Sequence, residues 1–439
     1  GWSLSEVAEA VGGRLVGEDR RVGFVTTDSR EGCDGALFVA LQGERFDGHD
    51  FATATIEAGA AGVVVRNGWS AAEPRIEVED TLNALLDLGV KRRGELSMPV
   101  IAITGSTGKT STKDLLAAGI DGSWASPRSY NNEIGVPITV LATPSDASVL
   151  ILEVGSRGPG HIRSLARAVR PDVSIITNLG VVHLETFGTE AGLADAKYEL
   201  VEMLGPDGTA VLPADEARLL REGIPHLVSF GESEGDVSVS SITLSDEGRP
   251  SFELANGGAI HAVSLSVAGS HQALNAAAAA GAASALGLDL GEFTRRIGSS
   301  TGSDWRMDVH VGEMTVVNDA YNANPQSVEA ALRTVAAMPG NRHIAVLGTM
   351  SELGSVCEIE HRRMGEVARE VGIDHLIVVG PDHGYAMGAG GLVANAAGLQ
   401  EAADTLHRIS EPGDVVLIKA SRSAGLERLA LDLVQEAQP

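Results

Sequence analysis

Cysteine is almost absent from this sequence, which has only Cys33 and Cys357 in 439 residues. Two cysteines so far apart exclude a disulfide framework and a cysteine-based zinc site, and they fit a reducing compartment. The sequence also lacks any run of about 18 apolar residues, so no membrane-spanning helix is expected. The first residues carry neither a basic nor an apolar stretch, so no signal peptide is expected. We therefore expect a cytoplasmic protein without membrane insertion.

Positive charge is scarce as well. Lys and Arg total 33 against 59 Asp and Glu, which gives a formal net charge of −26. A surface this negative repels the phosphates of nucleic acids and of anionic membranes, so neither is an expected partner. An anionic substrate must therefore be bound by a local group of basic side chains or by backbone N–H groups. Apolar residues still make up 44% of the chain, which excludes global disorder.

Length and sequence texture predict three domains of the α/β class. We expect a small mixed α/β domain over 1–97 and a central domain over 98–300. The central domain is predicted to combine a parallel sheet with a small antiparallel sheet that follows residue 208. Over 301–439, strands alternate with helices as in a doubly wound, Rossmann-like domain. Because no unusual apolar stripe is present, we expect a monomer.

The clearest single motif is a phosphate-binding loop. Residues 104–111 read Thr-Gly-Ser-Thr-Gly-Lys-Thr-Ser, between an apolar strand and a predicted helix. Backbone N–H groups of such a loop face phosphate oxygens, Lys109 reaches the β- and γ-phosphates, and Thr110 can ligate Mg²⁺. The strict pattern has glycine where this chain has Ile103, so the match is to a shorter form. The chain has no Asn-Lys-x-Asp run, which argues against a GTPase. The residues predicted to hold ATP here are Gly105, Ser106, Thr107, Gly108, Lys109, Thr110 and Ser111.

Residues at predicted strand ends offer ligands for the Mg²⁺ that such a nucleotide needs. Glu153 ends an apolar strand, at the edge where a doubly wound sheet presents its ligands. His183 follows the next strand and is a second candidate for a metal or phosphate contact. Lys197 lies among acidic residues on a predicted helix, and by itself it is interpreted as a solvated, ion-paired lysine.

Taken together, these motifs resemble those of the Mur ligases, which build the peptide stem of bacterial cell-wall precursors. The most specific segments are Asn-Asn-Glu-Ile-Gly-Val-Pro at 131–137 and Asp-Ala-Tyr-Asn-Ala-Asn-Pro at 319–325. The resemblance extends to Thr-Asp-Ser-Arg at 27–30 and Trp-Arg-Met at 305–307, so it covers all three predicted domains. The chain departs from the pattern at 156–157, where Ser-Arg replaces the Ala-Asn of many members. The peptide contacts of that loop therefore stay open.

The resemblance implies an ATP-dependent amide ligase that joins D-Ala-D-Ala to UDP-N-acetylmuramoyl-tripeptide. ATP would convert the tripeptide carboxylate, a poor acyl donor, into an acyl phosphate, which the dipeptide amine would attack. The resemblance also implies two Mg²⁺ ions, one held by Thr110 and Glu153 and the other by His183 and Lys197. It further implies a carbamate on Lys197, which turns an ammonium into a carboxylate-like ligand. The implied catalytic residues are Lys109, Lys197 and His183.

The remaining site residues are likewise implied by the resemblance. Those expected to contact ATP or its metal are Asn131, Asn132, Asn275, Arg306 and Asp319. Those expected to bind the uridine diphosphate part of the substrate are Ser29, Arg30 and Arg45. Substrate contacts are also expected from Tyr321, Asn322 and Asn324. Further candidates for contacts to the dipeptide or the tripeptide acids are His361, Lys419, Ser421 and Arg422.

Two alternatives stay open from the sequence. The first is another ligase of the broader family, similar to folylpolyglutamate synthase, although Thr-Asp-Ser-Arg in the N-terminal block suits a UDP-sugar. The second is a nucleotide-binding regulatory partner without catalysis. Against it stands the joint presence of Lys109, Glu153, His183 and Lys197, because binding alone needs only the loop. The sequence does not distinguish lysine from diaminopimelate as the third residue of the tripeptide.

Overall fold

The structure is a computed structural model that describes residues 1–43, 46–70, 72–127, 129–180 and 187–436. The described residues form three sheets, and each sheet belongs to one third of the chain. Within these ranges no helix combines the length and the hydrophobicity needed to cross a membrane. The three-domain α/β architecture expected from the sequence is confirmed, while the boundaries near residues 97 and 300 stay predictions.

The N-terminal sheet is mostly parallel. Its strands are β1 (Arg14–Val16), β2 (Phe24–Thr26), β3 (Ala36–Val39), β4 (Gly62–Arg66) and β5 (Arg75–Val78). They lie in the order β1-β5-β4-β3-β2, and β1 runs antiparallel to β5. The helices are α1 (Leu4–Ala10), α2 (Ala52–Glu57) and α3 (Thr81–Glu95). Strands β3 and β4 have the continuous apolar pattern that predicts buried strands. By contrast, β1 and β5 each contain charged residues and lack the continuous apolar pattern.

The central sheet is one continuous sheet. Its strands are β6 (Val100–Thr104), β7 (Trp124–Ala125), β8 (Leu150–Glu153), β9 (Val173–Ile176), β10 (Thr209–Pro213), β11 (His226–Glu232), β12 (Val237–Leu244), β13 (Pro250–Asn256) and β14 (Ala259–Ser264). They lie in the order β14-β13-β12-β11-β10-β9-β6-β8-β7. The antiparallel strands were predicted, but they do not form the separate small sheet expected from the sequence. The reason is β11, which pairs in parallel with both β10 and β12 and joins the two parts.

Helices cover the central sheet. They are α4 (Lys109–Gly119), α5 (Gly135–Ala142), α6 (His161–Val169), α7 (Glu190–Glu202), α8 (Gln272–Ala285) and α9 (Leu290–Ile297). The alanine-rich helix α8 is buried along most of its length and packs in the main core of this domain. Its small side chains permit close packing: a Cβ added at Gly281 would lie 2.9 Å from Val211 Cγ1.

The C-terminal sheet has helices and apolar clusters on both faces. Its strands are β15 (Asp308–Val311), β16 (Thr315–Asn318), β17 (His343–Gly348), β18 (His375–Val379), β19 (Val393–Ala396) and β20 (Val415–Lys419). They lie in the order β15-β16-β20-β17-β18-β19, and only β15 is antiparallel to its neighbour. The helices are α10 (Pro325–Ala336), α11 (Cys357–Val371), α12 (Tyr385–Ala389), α13 (Leu399–Ile409) and α14 (Glu427–Glu436). Parallel strands of this kind present their carboxyl ends at one edge, which faces the central domain.

Candidate functional site

The phosphate-binding loop connects the buried strand β6 to helix α4, as the sequence predicted. Gly105 has a φ of +147°, and a Cβ at this position would lie 1.9 Å from Thr177 Oγ1. The Thr177 hydroxyl donates a hydrogen bond of 2.5 Å to the carbonyl oxygen of Thr107. The N–H of Thr107 donates a hydrogen bond of 3.0 Å to Asn178 Oδ1. The end of β9 thus holds the loop in place, and only glycine fits at position 105.

Lys109 is the first residue of α4 and lies over this loop. Its Nζ donates a hydrogen bond of 2.7 Å to the carbonyl oxygen of Gly105. Desolvation lowers the pKa of Lys109, and the charge of Arg306 acts in the same direction, while Glu153 opposes both. The ammonium therefore lacks a strong anionic partner in this state, which suits a group that receives a phosphate.

Glu153, at the carboxyl end of β8, is almost fully buried and accepts two side-chain hydrogen bonds. Thr110 Oγ1 donates one of 2.9 Å to Oε2, and Asn131 Nδ2 donates one of 2.8 Å to Oε1. Ser129 Oγ lies 3.3 Å from Thr110 Oγ1. Hydroxyl and carboxylate oxygens are the donors that Mg²⁺ prefers, so these residues fit one such ion. Among the residues that the structure describes, no group of three or more His, Cys, Asp or Glu side chains forms a ready metal site.

Lys197, on α7, is buried, with 2% of its surface exposed. The interpretation of this residue as a solvated, ion-paired lysine is therefore wrong. Its acidic neighbours in sequence have other partners: Asp195 pairs with Arg221 at 2.7 Å, and Glu199 accepts backbone N–H groups at the start of α6. Lys197 makes no hydrogen bond or ion pair with the described part of the chain. Burial lowers its pKa well below the usual range, and the charge of Lys109 adds to this effect.

The C-terminal domain supplies the opposite wall of the site. The guanidinium of Arg306 lies 4.1 Å from the ring centre of Tyr321, and its Nη2 donates a hydrogen bond of 3.3 Å to Ser129 Oγ of the central domain. Buried Lys419 donates hydrogen bonds to Asp319 Oδ2 at 2.5 Å and to the carbonyl oxygen of Asn322 at 2.9 Å. This ion pair fixes the backbone that follows β16 and so positions the asparagines next to it.

The Asn-Ala-Asn-Pro run is a helix start, not an isolated turn. Asn324 caps α10, because its Oδ1 accepts a hydrogen bond of 3.0 Å from the N–H of Ser327. Pro325 is the first helical residue, where its missing N–H costs no helical hydrogen bond. The cap directs Asn322 and Asn324 toward the central domain, where both line the cavities between the two domains.

Two cavities that share several residues lie between the central and C-terminal domains. The larger, of about 890 Å³, is lined by the predicted residues Ser106, Thr107, Gly108, Lys109, Thr110, Ser111, Asn131, Glu153, Asn275, Arg306, Asp319, Tyr321, Asn322 and Asn324. The smaller, of about 240 Å³, is lined by Gly105, Ser106, Lys109, Asn131, Asn132, Lys197, Asn322 and Asn324. A volume near 900 Å³ lies within the range of small-molecule sites.

Not every predicted residue lies at these cavities. Ser29 and Arg30 follow β2 in the N-terminal domain and line neither cavity; exposed Arg30 pairs with Asp28 at 2.6 Å. His183 and Arg45 lie outside the described residues. Of the further candidates, Lys419, Ser421 and Arg422 line the larger cavity. His361 is instead fully buried behind the wall, and its Nε2 accepts a hydrogen bond of 3.0 Å from the N–H of Met350.

Sequence reasoning missed several residues that line the cavities. His271 has a buried Nδ1 with no hydrogen-bond partner in the described ranges, and it lines the larger cavity. Ser351 and Glu352 follow β17 and line both cavities. Glu352 has a φ of +65°, unusual for a residue other than glycine. Their position after a parallel strand was the signal that could have identified them.

This geometry defines a class: a phosphate-loop enzyme whose nucleotide site lies between two α/β domains. Family models agree. "Mur ligase family, catalytic domain" matches residues 21–89, "Mur ligase middle domain" matches 103–283, and "Mur ligase, glutamate ligase domain" matches 305–422. The chain belongs to the Mur ligase family. It is an ATP-dependent ligase that forms a peptide bond, as the sequence predicted.

The chain is similar to individual members of this family. The chain is 34% identical to a UDP-N-acetylmuramoyl-tripeptide–D-alanyl-D-alanine ligase of Synechocystis, over 95% of this chain and 93% of the relative. It is similar to the crystal structure of MurF from Acinetobacter baumannii, with a TM-score of 0.91, 29% identity and 99% coverage of both chains. MurF ligase from Thermotoga maritima, solved with ADP, has a TM-score of 0.84 and 28% identity over 94% of this chain and 97% of that one.

The folylpolyglutamate-synthase alternative is a more distant match. Folylpolyglutamate synthase of Mycobacterium tuberculosis has a TM-score of 0.64 at 19% identity, which shows a shared fold alone. It covers 79% of this chain, compared with 99% for the Acinetobacter MurF. The comparisons therefore favour the cell-wall ligase among the enzymes of this fold.

Proposed function

We propose that this protein joins D-Ala-D-Ala to UDP-N-acetylmuramoyl-tripeptide in the cytoplasm, as a monomer, during peptidoglycan precursor synthesis. The observation that carries the proposal is the convergence of two domains on one site. Lys109, Glu153 and Lys197 lie on the central wall, and Asn322 and Asn324 lie on the C-terminal wall. The names of the relatives supply the substrates, and the two cavities, which share lining residues, supply room for a nucleotide beside a peptide.

The first step activates the tripeptide carboxylate. We assign the ATP phosphates to the loop, where the ammonium of Lys109 exchanges the carbonyl oxygen of Gly105 for phosphate oxygens. A carboxylate oxygen of the tripeptide attacks the γ-phosphorus, the bond between that phosphorus and the β,γ-bridging oxygen breaks, and ADP leaves. Thr110 and Glu153 would hold a Mg²⁺ ion, which supplies charge neutralisation for the transferred phosphoryl group. Asn131 donates a hydrogen bond to Glu153 and so orients the Glu153 carboxylate.

The second step forms the amide bond. The neutral amine of D-Ala-D-Ala attacks the acyl carbon, the carbon–oxygen bond to phosphate breaks, and phosphate leaves with the electron pair. The nitrogen loses one proton as the amide forms. We assign Asn322 and Asn324 to the dipeptide, because both line the smaller cavity together with residues of the phosphate loop. Asn275 is assigned to the adenine of ATP, and Arg306 and Asp319 are assigned to its ribose and phosphates.

Lys197 is assigned a carbamate. Its burial and its lowered pKa favour the neutral amine, which is the form that adds to CO₂ with release of a proton. The product is a carbamate, which can bind a metal through an anionic oxygen, whereas the free side chain ends in an amine. Together with His183 it would hold a second Mg²⁺ ion. In the N-terminal domain, Ser29, Arg30 and Arg45 are assigned to the uridine diphosphate.

Phosphate release tests the proposal. The purified protein is given ATP, Mg²⁺ and UDP-N-acetylmuramoyl-tripeptide, with and without D-Ala-D-Ala, and single D- and L-amino acids serve as alternative acceptors. We expect release that depends on the dipeptide. Release with another acceptor would retain the ligase chemistry and refute the assigned substrate. Binding of an ATP analogue without release for any acceptor would instead favour the regulatory alternative.

A further inference from the structure

The smaller cavity has an arginine at its mouth. Arg157 lines this cavity together with Lys109 and Lys197. It lies in the loop between β8 and α6. Two-thirds of its side chain is exposed, so the guanidinium is accessible from the cavity mouth. Arg157 therefore places a cation next to the predicted site of acyl transfer.

The guanidinium is held by its neighbours but not enclosed by them. Its Nη1 donates a hydrogen bond of 2.7 Å to Glu133 Oε1. His161 Nε2 lies 3.2 Å from the other oxygen of the same carboxylate, and His161 Nδ1 accepts a hydrogen bond of 3.1 Å from the N–H of Arg157. Because Nδ1 is an acceptor, the ring donates from Nε2 to Glu133. This chain of bonds orients Arg157 and leaves its remaining N–H donors available for a ligand.

The charges around the cavity favour a ligand that carries an extra carboxylate. Lys109 and Arg157 are cations that line it beside His161, whereas Glu352 is the carboxylate among its lining residues. A lysine side chain on the substrate would bring a further positive charge into this group. A diamino-diacid side chain ends in both an ammonium and a carboxylate, so it adds no net charge. Its carboxylate also matches the geometry of a guanidinium.

We propose that Arg157 binds the side-chain carboxylate of the third residue of the tripeptide, and that the protein thereby selects diaminopimelate over lysine. Glu133 and His161 are positioning residues that hold the guanidinium at the cavity mouth. The proposal rests on the proposed function, because it specifies the tripeptide of that reaction. The substrate that lacks this carboxylate loses one charge-assisted hydrogen bond to the guanidinium, and this loss sets the expected preference.

The test compares two substrates that differ only in the third residue, meso-diaminopimelate or L-lysine, with saturating ATP and D-Ala-D-Ala. The wild-type protein is expected to prefer the diaminopimelate substrate in kcat/KM by about 10- to 100-fold, the range for a charge-assisted hydrogen bond. Arg157→Ala is expected to lose this preference, with the lysine substrate changed less than about twofold. Arg163→Ala is the matched control: this arginine of α6 pairs with Glu202, and neither cavity is lined by it.

Three outcomes would overturn the assignment, and they are distinguishable. Equal kcat/KM of the wild type for both substrates would show that the protein does not recognise the side chain of the third residue. An equal loss for both substrates in Arg157→Ala would place the arginine on a group they share. Absence of turnover in the wild type with either substrate would refute the proposed function. Calorimetric binding of the two UDP-tripeptides to each variant gives a readout without turnover, and melting temperatures show whether Arg157→Ala folds.

Discussion

Removal of the Lys197 amine is expected to leave the stability of the protein unchanged or higher while it lowers catalytic turnover. Lys197→Met keeps a flexible side chain of similar length and deletes a polar group that is 2% exposed and has no partner among the described residues. Folding desolvates this amine and lowers its pKa, which costs about 1.4 kcal/mol for each unit by which the pKa falls. In carbonate-free, Mg²⁺-free buffer at neutral pH, the variant should therefore unfold at the same or a higher denaturant concentration than the wild type.

The dependence on pH has a definite sign. The folded-state pKa of Lys197 lies below that of the unfolded chain, about 10.4 for free lysine. Between these two values the unfolded state binds more protons, so wild-type stability rises with pH. The penalty is fully present below the folded-state pKa and is lost as the pH approaches 10.4. The advantage of Lys197→Met in urea unfolding should accordingly shrink as the pH is raised through this window.

Turnover should respond in the opposite way. Loss of a group that acts on the transferred phosphoryl or on its metal typically lowers kcat by about 100-fold or more. We therefore expect Lys197→Met to retain binding of an ATP analogue while phosphate release in the complete reaction falls by at least this factor. Two results would refute the reasoning: near-wild-type turnover, or a loss of several kcal/mol in the free energy of unfolding. The latter would mean that the amine has a stabilising partner.

Two further substitutions test the loop and the opposite wall. Gly105→Ala places a Cβ 1.9 Å from a threonine hydroxyl at a positive φ, so it should cost about 1–3 kcal/mol of stability in thermal unfolding and weaken binding of an ATP analogue. Its control is Gly94→Ala, on the open face of α3, which should be neutral or stabilising in the same thermal unfolding experiment. Lys419→Met leaves buried Asp319 without its cation and should cost about 3–5 kcal/mol in urea unfolding, whereas Arg333→Met, which breaks a surface pair, should cost under about 0.5 kcal/mol.

Elements encoded by local pattern could be predicted from the sequence. The strand at 100–104 has the predicted bounds, and a helix follows the glycine-rich turn as predicted, since the apolar run and the turn are consecutive features. Strands with mixed polarity could not be identified in this way. β11 begins with His226 and Leu227, both exposed, and its place in the sheet depends on pairing with neighbours on both sides. Its omission led to the prediction of a separate antiparallel sheet.

Lys197 shows the limit of local reasoning at the site. Its neighbours in sequence are acidic, and a helix surface with alternating charges normally is solvated. The structure reverses this environment because Arg221 and the start of α6, distant in sequence, bind those acids. The resemblance to a family identified the residue where its local sequence did not. Arg157 and Glu352 show the same limit, since only the fold brings loops of two domains to one cavity.

The charge distribution explains how so acidic a protein can bind anionic substrates. Outside the cleft, arginines such as Arg218 and Arg342 have carboxylate partners, which raise their pKa values. Inside it, desolvation lowers the pKa values of Lys109 and Lys419. A desolvated cation is stabilised more by a bound anion than an exposed cation is, because the local dielectric is low. The net charge of −26 repels anions from most of the surface. Binding is thereby confined to the cleft, where a few buried cations interact with the phosphates and carboxylates on which the ligase acts.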